Sequence, residues 1–209
     1  CTDLRSRYRV LMKIVSGLAG LILGAMAGGA AALAAAGIIG PGLRMGGEID
    51  AGGWSSDWTI GSQTANPWTR ARVARHGLLA LTKDEAVYFT RNTDEAGDRL
   101  SEACTYTVSG GGMPAHWWSV TLYDGDSYLP LNTDNALSFD QTDAASTASG
   151  WSFTIAPQRP VDGGWVSSRA AGAFDLTLRL YRPSADLIAA PEATLAAPRI
   201  EKTSCGEAT

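Results

Sequence analysis

Residues 174–181 read Phe-Asp-Leu-Thr-Leu-Arg-Leu-Tyr. Phe174, Leu176, Leu178 and Leu180 alternate with Asp175, Thr177, Arg179 and Tyr181. A period of two sends the first set to one face of a strand and the second set to the other. One apolar face and one polar face predict a half-buried antiparallel strand. The same period recurs upstream. Cys104, Tyr106 and Val108 alternate with Thr105 and Thr107, and Trp118, Val120 and Leu122 share one face of residues 117–123. Trp151, Phe153 and Ile155 alternate with Ser152 and Thr154. Residues 94–97, residues 110–114 and Asp124-Gly125 supply turn chemistry between these runs. Residues 140–150, rich in Ser, Ala, Asp and Thr, predict a loop. Short strands with frequent turns predict a mainly β domain, a jelly-roll-like antiparallel β-sandwich with one or two short helices. The tail from Pro183 also holds Pro191 and Pro198 and predicts an irregular strap over the sheet.

Ahead of the strands the period is helical. Asn66-Pro67 is an N-cap followed by Pro at the first helical position. Ala71, Ala74, Leu78 and Leu81 then recur at helix spacing, with Arg70, Arg72 and Arg75 elsewhere and Gly77 as a stop. Thr82 and Glu85 have the spacing of a capping box, so a second short turn is expected there.

Charge divides the chain of 209 residues further. Residues 1–13 carry Arg5, Arg7, Arg9 and Lys13 against Asp3, a charge of +3, and the remainder is −7. Residues 14–43 contain no charge. About 20 apolar residues cross a bilayer core, so residues 14–40 are long enough for a single transmembrane α-helix. Basic residues on one side only predict a cytoplasmic N-terminus and an exported remainder. A cleaved signal peptide is the competing reading, with Ala34-Ala35-Ala36 as its site. The run exceeds the usual apolar core of about 7–15 residues, so a retained anchor is expected. A start at Cys1 fits removal of an initiator Met better than a lipid-anchored Cys, which a soluble tether normally follows. The expected organisation is residues 1–13 cytoplasmic, 14–40 transmembrane, 41–64 juxtamembrane linker and 65–209 periplasmic β-rich domain.

The spanning segment has a face. Ser16, Gly20, Gly24, Gly28, Ala32, Ala36 and Gly40 each stand four residues from the last. In lipid, helices associate by close backbone approach across small residues. A docking face for an integral membrane subunit is therefore expected, with Leu18, Leu21, Ile22, Met26 and Leu33 toward lipid or a partner's grooves. Residues 41–64 are glycine-rich and not a strong helix. Trp54 and Trp58 in that stretch fit the lipid headgroup level or the core of the exported domain.

Several motifs together carry a family resemblance. Trp117-Trp118-Ser119-Val120-Thr121-Leu122-Tyr123-Asp124 resembles the W-S-[LV]-T-x-Y-D strand of the domain-of-unknown-function family 1214 (DUF1214). Leu178-Arg179-Leu180-Tyr181-Arg182-Pro183 resembles its closing L-R-L-Y-x-P strand. Thr93-Asp94 before Gly97, Cys104-Thr105-Tyr106, Met113-Pro114 and Trp165 follow in matching order, so the resemblance spans roughly residues 65–205. It implies a β-rich, jelly-roll-like domain, often bacterial and sometimes behind a membrane helix. It implies no reaction and transfers no catalytic residue. The chain departs from the family where N-W-L-P reads Gly164-Trp165-Val166-Ser167, and where the D-G-S turn before Trp151 is missing.

Export also bears on cysteine. A Cys104–Cys205 disulfide is permitted beyond the membrane and would close a loop of about 100 residues, for which the chain-entropy estimate is about 4.7 kcal/mol. Cys1 would stay reduced.

Chemistry is sparse. Three Cys and two His are few for a metal site, and a net charge of −4 gives no footprint for nucleic acid. No nucleophile elbow, zincin motif or P-loop occurs, so no catalytic residue, metal or cofactor is expected. His76 reads as a helix surface residue. His116 is an acid or base only if Asp124 or Asp126 meets it. Asp124, Asp126, Asp134, Asp140 and Asp143 read as solvated turn carboxylates rather than a calcium loop. Trp118, Trp151 and Trp165 fit core positions, and Trp117, on the opposite face from Trp118, is the candidate for exposed contact. Two functions fit. One is a non-catalytic accessory subunit of a membrane complex, bound to lipid and to integral membrane subunits through its helix. The other is a tethered periplasmic enzyme or glycan or small-ligand-binding module.

Overall fold

The computed structural model describes residues 2–40, 47–62, 65–75, 81–144 and 150–206. The chain divides into two units, one helical and one built of strands.

The helical unit holds α1 (Thr2–Ala35) and, in chain order after the first hairpin, a second helix at Pro67–Arg75. The apolar side chains of α1 between Leu11 and Leu33 are exposed, Leu21 and Met26 at 70% and 68%. The segment Leu11–Ala35 is long and apolar enough to cross a membrane. Its uncharged part, residues 14–35, rises roughly 33 Å, against a hydrocarbon core of about 30 Å. Ser16 donates its hydroxyl to the Met12 carbonyl at 2.7 Å, so the one polar side chain on the small-residue face is satisfied within the helix. The helix stops earlier than expected. Gly37, at φ +74°, donates to Ala34 O and Ile38 donates to Leu33 O, a Schellman stop. Ala36 keeps its bond to Ala32 O, but Gly40 lies past the helix. The second helix starts as its sequence dictates. Pro67 opens it, and Asn66 Oδ1 accepts the Thr69 N–H at 2.9 Å. His76, Gly77 and Leu78 lie outside the described residues, as does Cys1.

The second unit is mainly β. Its strands are β1 (Glu48–Ala51), β2 (Trp54–Asp57), β3 (Ala86–Arg91), β4 (Cys104–Gly110), β5 (Ala115–Asp124), β6 (Ser138–Asp140), β7 (Trp151–Ala156), β8 (Gly164–Ser167), β9 (Phe174–Pro183) and β10 (Arg199–Cys205). Short helices at Ala185–Ala189 and Pro191–Thr194 precede β10. One sheet runs β1-β2-β3-β9-β5-β6 and the other β10-β4-β7-β8. In β9, Phe174, Leu176, Leu178 and Leu180 are fully buried, as the alternation requires. In β5, Trp118, Val120 and Leu122 join them. Tyr106 of β4 meets Phe174 of β9 edge-on at 5.9 Å, and Phe139 of β6 stacks on Phe153 of β7 at 4.6 Å. The two sheets therefore share one apolar layer between their inner faces.

The structure corrects four expectations. The stretch expected as a linker contains the β1–β2 hairpin, closed by Gly52 and Gly53 at φ +63° and +86°. Positive φ at both loop residues is what a two-residue hairpin needs. Trp54 follows that turn and is fully buried, its indole N–H donating to Pro198 O at 2.7 Å. It is a core residue and neither a headgroup anchor nor a surface contact. The tail is ordered, because β10 pairs with β4 from Arg199↔Ser109 to Cys205↔Cys104. Its sequence hid this, since only Ile200 of the strand is buried. Finally, β7 and β8 pair in parallel, so the smaller sheet is mixed.

The Cys104–Cys205 disulfide is formed. It joins two residues directly opposed on β4 and β10.

Candidate functional site

The outer face of the larger sheet carries the residues that the alternation leaves out of the core. In the β5–β9 register Trp117 stands opposite Tyr181. Both are half-buried, with ring centroids 5.4 Å apart and planes inclined by 55°. One residue further, Arg182 adopts φ +46°. That is the left-handed region, unusual for a side chain and more so directly before Pro183. The conformation is held by the Arg182 N–H, which donates to Glu85 O at 2.8 Å.

Glu85 is itself fixed by the turn after Leu81. Thr82 donates its N–H and its hydroxyl to Glu85 Oε2, at 3.0 and 2.9 Å. These bonds from Thr82 hold the Glu85 carboxyl below its usual range. The capping-box expectation is met in the form of this turn. Leu81, Glu85, His116, Trp117, Tyr181 and Arg182 line an open cleft of ≈ 590 Å³. Two residues from Tyr181 along β9, on the same face, Arg179 donates to Thr121 Oγ1 at 2.8 Å and to the Tyr123 hydroxyl, and its guanidinium lies over the Tyr123 ring. Burial raises the Tyr88 phenol above its ordinary value, Tyr181 adds to this, and Arg179 opposes it. An aromatic pair flanked by a cation, an imidazole and a carboxylate can grip a small polar ring; it lacks a nucleophile beside a base.

His116 is exposed at the start of β5, while Asp124 ends that strand and Asp126 lies beyond it. Eight residues of strand hold His116 and Asp124 about 27 Å apart. They form no acid–base pair. Asp124 instead caps its own turn, accepting from the N–H groups of Asp126 and Tyr128. Asp134 accepts from Ser167 Oγ at 2.6 Å and pairs with Arg169, contacts that keep its carboxyl below the usual range. Asp140 and Asp143 bond each other's backbone N–H groups. No group of three or more His, Cys, Asp or Glu suited to a metal ion occurs among the described residues. Trp58 packs on Phe89 at 6.0 Å, with Lys83 Nζ 4.8 Å from its ring. Trp165 donates to Ala156 O at 3.0 Å.

Sequence reasoning found Trp117 but missed Tyr181, Glu85 and Arg182. The Trp117–Tyr181 pairing follows from register, which the sequence does not state. Arg182-Pro183 at a strand end was the visible signal for the third.

Residues 85–185 match the family described as "Protein of unknown function (DUF1214)". This segment is a DUF1214 domain. It contains five of the six cleft residues, and Cys205 lies outside it. The chain is similar to the crystal structure of the VPA0106 protein from Vibrio parahaemolyticus, at 21% identity and a TM-score of 0.54. That likeness covers 68% of this chain and 36% of the other, and shows the fold. An uncharacterised protein from Burkholderia cenocepacia is similar at 15% identity and a TM-score of 0.41, over 57% of this chain and 30% of that one. The chain thus spans about a third of the length of these two solved proteins. No curated protein matches it.

Proposed function

We propose that the protein is a non-catalytic accessory subunit of a bacterial inner-membrane complex. In this reading α1 crosses the bilayer with residues 1–13 in the cytoplasm, and the DUF1214 domain covers the periplasmic face of the assembly. The observation that carries it is the small-residue face of α1. Gly20, Gly24 and Gly28 carry no side chain, so another helix backbone can approach closely along that line. The one-sided basic cluster supports the orientation, and the disulfide supports an oxidising compartment.

Purification of the full chain in mild detergent tests the docking. A membrane subunit is expected in fixed stoichiometry, and Gly24→Leu is expected to release it. Co-purification that survives Gly24→Leu rejects the docking face. Protease added to intact spheroplasts is expected to digest the DUF1214 domain, and protection rejects the orientation. A mature chain that begins after Ala36 rejects the anchor.

A further inference from the structure

The cleft of the outer sheet face has one satisfied charge and one open charge. Glu85 is held by both donors of Thr82. Arg182 is exposed, and among the described residues its guanidinium has no hydrogen bond or ion pair. The left-handed backbone at Arg182 is kept in place by the bond to Glu85 O and by the pairing of Pro183 with Ala115. Strain of this kind tends to be retained at binding sites.

The chemistry of the lining selects a ligand. Trp117 and Tyr181 are half-buried aromatic side chains lining the cleft, and aromatic rings favour apolar C–H surface. The cleft is open, so its occupant keeps one side in water. A pyranose ring has a C–H face for the indole and a hydroxyl edge for solvent, His116 and Glu85. Arg182 adds a demand that a neutral sugar does not meet. A guanidinium is a planar fork that binds a carboxylate through two parallel bonds. The volume of ≈ 590 Å³ falls within the range of about 300–1,000 Å³ common for small-ligand sites. We propose that this cleft binds an acidic saccharide, with a uronic-acid ring on Trp117 and its carboxylate on Arg182. The assignment does not depend on what α1 packs against, so either can fail alone.

The test is titration of the full chain in detergent with a galacturonic acid trimer and, separately, a neutral galactose trimer. Calorimetry and tryptophan fluorescence report binding. The acidic trimer is expected to bind roughly tenfold tighter than the neutral one, an advantage that shrinks as salt rises. Arg182→Gly removes the cation and suits φ +46°, so it keeps the fold. It is expected to bring the acidic trimer down to the affinity of the neutral one, while Trp117→Ala weakens both. Equal binding of the two trimers by the natural chain overturns the proposal. So does unchanged affinity in Arg182→Gly, or no binding of either trimer.

Discussion

Trp118 of β5 and Trp151 of β7 stack across the two sheets, with ring centroids 4.5 Å apart and planes inclined by 30°. Phe139 and Phe153 continue the stack beside them. The contact explains a glycine. Gly110 pairs with Trp151 in the β4–β7 register, and a Cβ there would stand 2.3 Å from Trp151 Cζ2. The indole lies over the neighbouring backbone, and its N–H donates to Gly111 O at 2.8 Å. The sheet interface therefore depends on a position with no side chain.

Gly110→Ala is expected to push Trp151 off Trp118 and to destabilise the β unit by about 1–3 kcal/mol, the usual cost of overpacking. Urea unfolding gives the magnitude, and near-UV circular dichroism reports the lost indole stacking. An unchanged midpoint with an unchanged aromatic signal would show that the space is not shared as described.

Loss of the disulfide acts on the last strand. Its edge position leaves β10 with one buried side chain, Ile200, so the strand has little apolar area of its own. Cys205→Ser is expected to cost about 2–5 kcal/mol, as for other native disulfides. Hydrogen exchange in β10 should rise before that in β9. Equal stability with and without reductant would count against this account.

Asp94 ties three segments together. Its Oδ1 accepts the N–H groups of Ala96 and Asp98 at 2.9 and 3.0 Å, and Oδ2 lies 3.3 Å from Lys202 Nζ on β10. Its carbonyl accepts from Arg91, which also donates to Gly52 O in the β1–β2 turn. Burial pushes the Asp94 carboxyl up, but the N–H of Asp98, Lys202 and the N–H of Ala96 together leave it below its ordinary 3.8. A depressed folded value gives stability that is present above the ordinary value and lost as pH falls through the lower one. Asp94→Ala also removes the charged acceptor of the Ala96 and Asp98 N–H groups, so a loss of about 2 kcal/mol is expected at pH 7. The difference from the natural chain should shrink as pH falls below the ordinary 3.8 and through the lower folded value; a constant difference would point to packing alone.

How far the sequence could be read follows from where each residue sits. The central strands β5 and β9 were legible because each sends apolar side chains to the shared core and polar ones, several of them also buried, to its other face, so side-chain polarity has a period of two across Trp118–Leu122 and Phe174–Leu180. The edge strand β10 has one buried residue and wrote no period. The β1–β2 hairpin did leave a signal, Gly52-Gly53 between two short runs, but glycines in a membrane-proximal stretch read equally well as a linker. The cleft was half legible. Alternation put Trp117 outside, yet its partner Tyr181 depends on the register of two strands distant in sequence, and Arg182 on a backbone angle.

Asp175 should act on stability in the opposite sense to Asp94. It lies on the outer side of β9, opposite Tyr123 of β5. Burial pushes its carboxyl from 3.8 up to about 6; Arg99 opposes the rise and Asp124 adds to it. Between these two values the folded chain binds more protons than the unfolded chain. Stability from this group is therefore complete below about pH 4 and is lost as pH rises through 6. A shift of about two units corresponds to at most about 3 kcal/mol. Asp175→Asn removes the buried charge and keeps the shape. It is expected to be more stable than the natural chain by about 1–3 kcal/mol at pH 8 and equal to it at pH 4. Urea unfolding at the two pH values decides the matter. A variant less stable at pH 8, or a difference that ignores pH, would mean that the carboxylate is satisfied where it stands.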